Sequence, residues 1–378
     1  MTQSPVAAGG ANSFDEWSPL REVVVGRAEH YTEHDPDASW RLFYFENVAP
    51  ILDGNPAGRG LLPIPTQLVD ELNEDIAGLV QALTGCGVNV LRPAAPGKDV
   101  DIRSPYWEAR ATPPLNVRDQ TIVLGNTIVE TAPHVRARLF ENDLLKPIFY
   151  RYYNSSATNW LSMPRPALSA GSLDDAYFRR QGIDVSRATD TETAQPIDGL
   201  GLEMVFDGAQ CMRLGRDVLV NVANRNHNLA LRWLRDNLPH LRFHVLDAMA
   251  DNHIDSIVVP LRPGLMLLRS PRYLPYLPTA MQSWEAIYPP AMSQPEPDYS
   301  DIGFVIPTAS RYIDINVLSV DENTVVVNSH YPELVAVLEQ RGFTVVPVRH
   351  RHRRLFGGGF HCFTLDTVRA GGCEDYLN

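Results

Sequence analysis

Near its C-terminus the chain carries Gly357-Gly358-Gly359-Phe360-His361-Cys362-Phe363-Thr364. Three glycines let a backbone approach a ligand closely, or take angles closed to other residues. A cysteine follows at once, flanked by aromatics, and could serve as a nucleophile. Its ordinary reading is a small hydrophobe in the last strand of the core. His253 lies in Asp251-Asn252-His253-Ile254-Asp255, polar-flanked at the entrance to a strand-like run. Asp255 is two residues on, and along an extended chain the two side chains face the same side. Asp207, in Val205-Phe206-Asp207-Gly208-Ala209, is a lone acid after apolar residues. Asp119, in Asn116-Val117-Arg118-Asp119, precedes an apolar strand pair. Taken singly, the histidine reads as a satisfied loop residue and the acids as turn or cap residues. Taken together, a cysteine, a histidine and acids converging on a pocket make the set for covalent catalysis: nucleophile, base and orienter. Additional carboxylates facing a thiolate would suit a planar cation such as a guanidinium, which pairs with them bidentately.

The elements that must position these residues repeat along the chain. Gln120–Glu130, Ile254–Arg269 and Ile315–Asn328 each read as two apolar strands joined by a tight polar turn, at Gly125-Asn126, Arg262-Pro263-Gly264 and Asp321-Glu322-Asn323. Their Val and Ile content suits a buried pleated surface. Thr66–Thr84 carries a helical stripe of Leu68, Leu72, Ile76, Leu79, Val80 and Leu83. Arg225–Leu238 and Pro332–Arg341 are shorter helical segments, followed by strand-like Arg242–Leu246 and Phe343–Val348. The unit is strand, turn, strand, helix, strand. Five copies start near Arg21, Arg118, Met212, Ile254 and Ile315, with the candidate residues at comparable edges. The pattern alone leaves two architectures open, a closed pseudosymmetric α/β array and an ordinary mixed α/β sheet. The Pro-rich stretches Leu274–Pro290 and Pro289–Pro297 read as surface connections, and Asp174–Gly199 has no clear period.

Composition narrows the chemistry further. With 378 residues, 44% of them hydrophobic, the chain can bury a large core. A net charge of -12 without a basic stripe argues against nucleic acid. Lys98 and Lys146 are the only lysines, so a Schiff base has two candidates. Cys86, Cys211, Cys362 and Cys373 show no C-x-x-C spacing, so neither a zinc ribbon nor a redox dithiol is expected. No apolar run reaches membrane-spanning length and no secretory signal opens the chain, so a cytoplasmic protein is expected.

Several segments carry a further signal: Glu16-Trp17-Ser18-Pro19-Leu20-Arg21-Glu22-Val23-Val24-Val25-Gly26, Val117-Arg118-Asp119, Phe206-Asp207-Gly208-Ala209, His253-Ile254-Asp255, Ser270-Pro271-Arg272, and Gly357 to Thr364 with Tyr376-Leu377 beyond. On these residues, in order along nearly the whole chain, it resembles the arginine amidinotransferases of the guanidino-modifying superfamily, which include glycine and inosamine-phosphate amidinotransferases. The resemblance implies an α/β fold, a five-bladed pseudosymmetric propeller of ββαβ modules (the pentein fold), as one domain over 13–378 behind a flexible 1–12. It implies Cys362 as nucleophile, His253 as general acid/base and Asp207 as its partner. Asp119 and Asp255 would hold the donor guanidinium, and Arg272 and Ser310 its carboxylate. No metal or organic cofactor is implied, and a homodimer is compatible. The expected reaction moves the amidino group of L-arginine through a Cys-bound intermediate to an amine, releasing L-ornithine.

Three departures from the family pattern bear on specificity. Gln210 stands where a second acid is frequent, and Ala309 where a second serine is usual. Ala250 and Asn252 replace the larger pair of the glycine-specific members, which points to an acceptor bulkier than glycine, as in natural-product biosynthesis, with Asn252 near it. The rivals are a hydrolase of the arginine deiminase type, in which water replaces the amine, and a non-catalytic binding protein, disfavoured because Cys362, His253 and Asp207 are all present.

Overall fold

The computed structural model describes residues 9–35, 37, 39–40, 62–155, 158–169, 203–246, 249, 251–295, 297–299 and 308–378. Its framework is an α/β arrangement containing five three-stranded sheets of one design. In four of them two consecutive strands pair antiparallel and a third lies parallel to the second. These are Thr121–Leu124 with Thr127–Glu130 and Asn159–Ser162, and Cys211–Leu214 with Asp217–Asn221 and Arg242–Leu246. The next two are Val258–Arg262 with Leu265–Leu268 and Glu285–Ile287, and Leu318–Asp321 with Thr324–Asn328 and Thr344–Val348. Between second and third strands run the helices Lys146–Ser155, Arg225–Asn237, Thr279–Gln282 and Pro332–Gln340. Three hairpin turns place Gly125, Gly215 and Gly264 at φ of 62°, 71° and 82°, angles open to glycine at no steric cost.

The fifth sheet joins the two ends of the chain. Thr364–Arg369 pairs antiparallel with Leu20–Val25, which pairs parallel with Asn89–Leu91. The intervening helix is Thr66–Gly85, whose Leu68, Leu72, Ile76, Leu79 and Leu83 are buried at helical spacing. This strand exchange puts Cys362 and the opening Glu16-Trp17 segment in one unit.

Three sequence expectations are corrected. Leu274–Pro290 is more than a surface connection, because Glu285–Ile287 is the third strand of its sheet, too short between prolines to show a strand pattern. His253 and Asp255 do not lie on extended chain, since Ile254–Ser256 is a 3-10 turn that His253 caps. Finally, the boundary at residue 12 falls inside packed structure: Ala11 N–H donates to Thr158 Oγ1 (2.9 Å) and Asn12 bridges to Val368. The insert at 174–199 and Ala250 lie outside the described residues. Among the described residues no helix is long and apolar enough to cross a membrane.

Candidate active site

Each unit enters its outer strand through a short turn, and these turns carry the chemistry. Val117–Gln120 holds Asp119, Asp207 caps Gly208–Gln210, and His253 caps Ile254–Ser256, which holds Asp255. Ile313–Ile315 is followed by Asn316, and the turns before Thr364–Arg369 hold Cys362. Glycines allow the close approach. A side chain on Gly358 would meet Asn116 Oδ1 at 2.0 Å, and one on Gly359 would meet the Asn316 Cβ at 2.6 Å. Gln210, the departure noted above, completes the Asp207 cap. Its Oε1 accepts from Asp207 N–H and its Nε2 donates to the Asn221 carbonyl, both at 2.9 Å. One amide does both, whereas a carboxylate could only accept.

The turns bring Cys362, His253, Asp207, Asp119 and Asp255 together, all at most 6% exposed. Donor atoms of Asp119, His253 and Cys362 lie within 4.8 Å of one another. Cys362 Sγ is 3.3 Å from Asp255 Oδ2 and 3.3 Å from Asn316 Nδ2, and its N–H donates to Asn316 Oδ1 (2.9 Å). His253 Nε2 is 2.9 Å from Asp207 Oδ2, and its Nδ1 is 3.7 Å from Asp119 Oδ1. Asp119 Oδ2 accepts from Arg138 (2.7 Å). His361 bridges Asp255 (2.8 Å) and Glu16 (3.1 Å), tying the site to the opening motif. One oxygen of each acid, Oδ1 of Asp119 and Oδ1 of Asp255, is buried without a hydrogen-bond partner. A buried carboxylate oxygen without a hydrogen bond is costly, and the pair could receive a donor-rich cation.

Electrostatics give each group a distinct state. Burial and then the charges of Asp255 and Asp119 push the Cys362 thiol well above its ordinary value. Burial opposes a charged His253, but Asp119 and Asp207 outweigh it and push the imidazole up to about 10. Burial would raise Asp207, yet His134 and His253 hold its carboxyl far below the usual range. For Asp255, burial is likewise outweighed, by His361 first, and the carboxyl is held low. Asp251 is pushed up to about 7, chiefly by burial.

A small cleft opens onto Cys362, His253 and Asp255, and Ser310 lines it. Arg272 and Asn252 do not line it. Arg272 is exposed, its guanidinium donating to Tyr273 OH (2.5 Å), and Asn252 is fully buried, its carbonyl accepting from Asn221 (2.9 Å). Sequence reasoning gave no role to Asn316, Arg138, Glu16 or His361. The last two stood inside quoted motifs, while nothing local marked Asn316 and Arg138.

Fold and site together define an α/β protein with a buried cluster of cysteine, histidine and carboxylates. No protein-family model matches the sequence. A putative inosamine-phosphate amidinotransferase of Streptomyces griseus is 33% identical over 368 residues, 96% of this chain and 97% of that protein. The solved inosamine-phosphate amidinotransferase of Streptomyces griseus superposes with a TM-score of 0.78 at 30% identity, over 97% of this chain and 99% of that one. An amidinotransferase from the saxitoxin biosynthetic pathway of Microseira wollei does so with 0.76 at 25%, over the same shares. The chain belongs to the amidinotransferase family, and it is an enzyme that transfers amidino groups.

Proposed function

We propose that the protein moves the amidino group of L-arginine to an amine larger than glycine, with Cys362 as the covalent carrier. The carrying observation is the pair of buried oxygens without a hydrogen bond, Asp119 Oδ1 and Asp255 Oδ1, beside Cys362 Sγ. A guanidinium seated between them satisfies both. Its charge also opposes the burial and acidity that hold Cys362 protonated, and Asp255 Oδ2 is the acceptor the thiol already faces. The thiolate attacks the guanidinium carbon. His253, a cation at rest, donates its Nδ1 proton to the departing nitrogen, ornithine leaves, and the amidino group stays on sulfur as a thiouronium. Neutral His253 then takes a proton from the acceptor amine, which attacks the same carbon and expels the thiolate, and the thiolate recovers its proton from Asp255. Asp207 orients His253, and Ser310 meets the donor carboxylate at the cleft wall.

A larger acceptor is supported by an adjoining, largely apolar pocket that shares Thr308 and Gly357 with the cleft and includes Tyr31, Trp40, Phe356 and Arg138. Arg138 is already committed to Asp119 and Glu141, so the lining favours a ring-bearing amine through its apolar faces. The five like units, with the chain ends sharing one sheet, support a five-bladed propeller folding as one domain.

Arginine labelled in the guanidino carbon is the test. Mass spectrometry should find the amidino adduct on Cys362, Cys362→Ala should release no ornithine, and ring-bearing amines should exceed glycine in kcat/KM. Citrulline formed without any amine would assign the protein to the hydrolases instead, and an adduct on Cys86, Cys211 or Cys373 would sink the assignment of Cys362.

A further inference from the structure

Behind Asp207 lie two buried histidines that the chemistry above leaves unused, His134 at 1% exposure and His227 at 0%. The Ala223 N–H points at His227 Nδ1 (3.2 Å), so that nitrogen carries a lone pair. A neutral His227 therefore keeps its proton on Nε2, which lies 2.9 Å from His134 Nε2. His134 Nε2 must then accept, which leaves the His134 proton on Nδ1. That nitrogen is 3.0 Å from Asp207 Oδ2, the oxygen that His253 Nε2 also approaches. The other tautomer of His134 would set a lone pair against a carboxylate. An imidazolium at His134 would set two N–H groups nose to nose across the His134–His227 contact. The Asn224 oxygen accepts from His227 N–H (2.9 Å), which fixes its amide nitrogen 3.3 Å from Nε2; that contact sets N–H against N–H, and the shorter Nε2–Nε2 bond of 2.9 Å outweighs it.

We propose that His134, held by His227 as the neutral Nδ1–H tautomer, is a positioning residue for the transfer reaction. It stands 3.0 Å from Asp207 Oδ2 alongside His253, so that the carboxylate keeps one direction while sharing its charge, with His253 Nδ1 turned toward Asp119 and the cleft. The charged and titratable groups facing this chain are Asp119, Asp251 and Asp255 around His253, and Arg138 near Asp207 through Asp119. Asp207 shared between two donors holds His253 less tightly than Asp207 serving one. Releasing His134 leaves the carboxylate wholly to the imidazolium, which makes His253 a weaker acid.

The inference rests on the amidino-transfer reading, but its first test does not. In the full chain labelled with ¹⁵N-histidine, long-range proton–nitrogen correlation at pH 7 should show His134 protonated on Nδ1 alone and His227 on Nε2 alone. A proton on His134 Nε2, alone or with one on Nδ1, overturns the proposal. The second test follows ornithine release against pH. His134→Leu should move the alkaline limb upward by about half to one pH unit and lower kcat roughly tenfold, with KM for arginine within about twofold. His134→Asn, whose amide N–H can stand in for Nδ1–H, should return the limb toward wild type. A limb that stays in place in a folded His134→Leu overturns the proposal. Absence of ornithine release from the wild-type protein would instead refute the transferase reading and leave the tautomer result standing.

Discussion

Cys362 sits where its own neighbours oppose its ionisation. Burial comes first, then the carboxylates of Asp255 and Asp119. The resting thiol is therefore protonated, and the cationic substrate supplies the missing positive charge. The sign of this coupling makes an unusual test. In Asp255→Asn one negative charge 3.3 Å from sulfur is gone, so the thiol should ionise at lower pH. Iodoacetamide at pH 8, read on the Cys362 peptide, should label the variant about tenfold faster than wild type, a one-unit drop being tenfold in thiolate. The same variant should bind arginine more weakly, since the oxygen that receives the guanidinium has become an amide. Slower labelling in Asp255→Asn would mean that the acid assists the thiolate rather than restraining it. Asp207→Asn should spare donor affinity and reduce turnover, because Asp207 touches His253 rather than the cleft.

Among the elements, the short turns ahead of each outer strand do the positioning, and they work because glycine and asparagine let them pack without clearance. Asn316 accepts from Cys362 N–H and donates to its sulfur, while the Gly359 backbone lies against it. A methyl group at 359 would stand 2.6 Å from the Asn316 Cβ and 2.9 Å from its carbonyl oxygen, so one of the two must move. Gly359→Ala should therefore cut ornithine release by more than about tenfold and lower the melting temperature by several degrees. Gly78→Ala is the matched control. That glycine lies within the helix Thr66–Gly85 with no atom within 4 Å of an added Cβ, so the change should raise stability by about 0.5–1 kcal/mol. Equal losses in the two variants would show that the Gly359 contact is not specific. The GGG-F-H-C run announced a close backbone approach in the sequence, but its partners, Asn116 and Asn316, come from units far away in the chain and carry no motif.

For the whole molecule, the sheets are tied together by a buried ionic hub. Asp366 accepts from Arg118 and Arg213 (both 2.6 Å) and from Arg369 (2.5 Å), and Glu16 takes the other face of Arg213 (2.6 and 2.8 Å). These residues come from the N-terminal segment, the second and third units and the last strand, so one carboxylate links both chain ends to the core. Removing one partner of such a set strands the others, at a cost of about 3–5 kcal/mol. Burial raises the Asp366 carboxyl, but the three arginines outweigh it and hold it well below the ordinary range. Its stabilisation is thus complete above the unfolded value of about 4 and fades as pH falls toward the lower folded value. Thermal melts of Asp366→Asn and wild type should differ most near pH 7 and converge below about pH 4. A gap that stays constant on acidification would exclude the ionised hub as its source.

The sequence by itself showed most of the repeated strand and helix order and singled out Cys362, His253, Asp207, Asp119 and Asp255 as candidates, because periodicity, glycine spacing and family motifs are local signals. Ser310, implied by the family resemblance alone, lines the cleft. Only the tertiary structure decided which remote groups these residues meet. Arg138 on Asp119, His361 between Asp255 and Glu16, and His134 behind Asp207 are contacts across units, set by packing rather than by spacing. Arg272 and Asn252 show the reverse case. Both stand beside motif residues in the sequence, yet Asn252 is buried with its carbonyl accepting from Asn221, Arg272 lies exposed in the 3-10 turn Pro271–Tyr276, and neither side chain lines the cleft. Residue types and order were written locally, whereas charge states, bare carboxylate oxygens and the joining of the two chain ends exist only once the units are packed together.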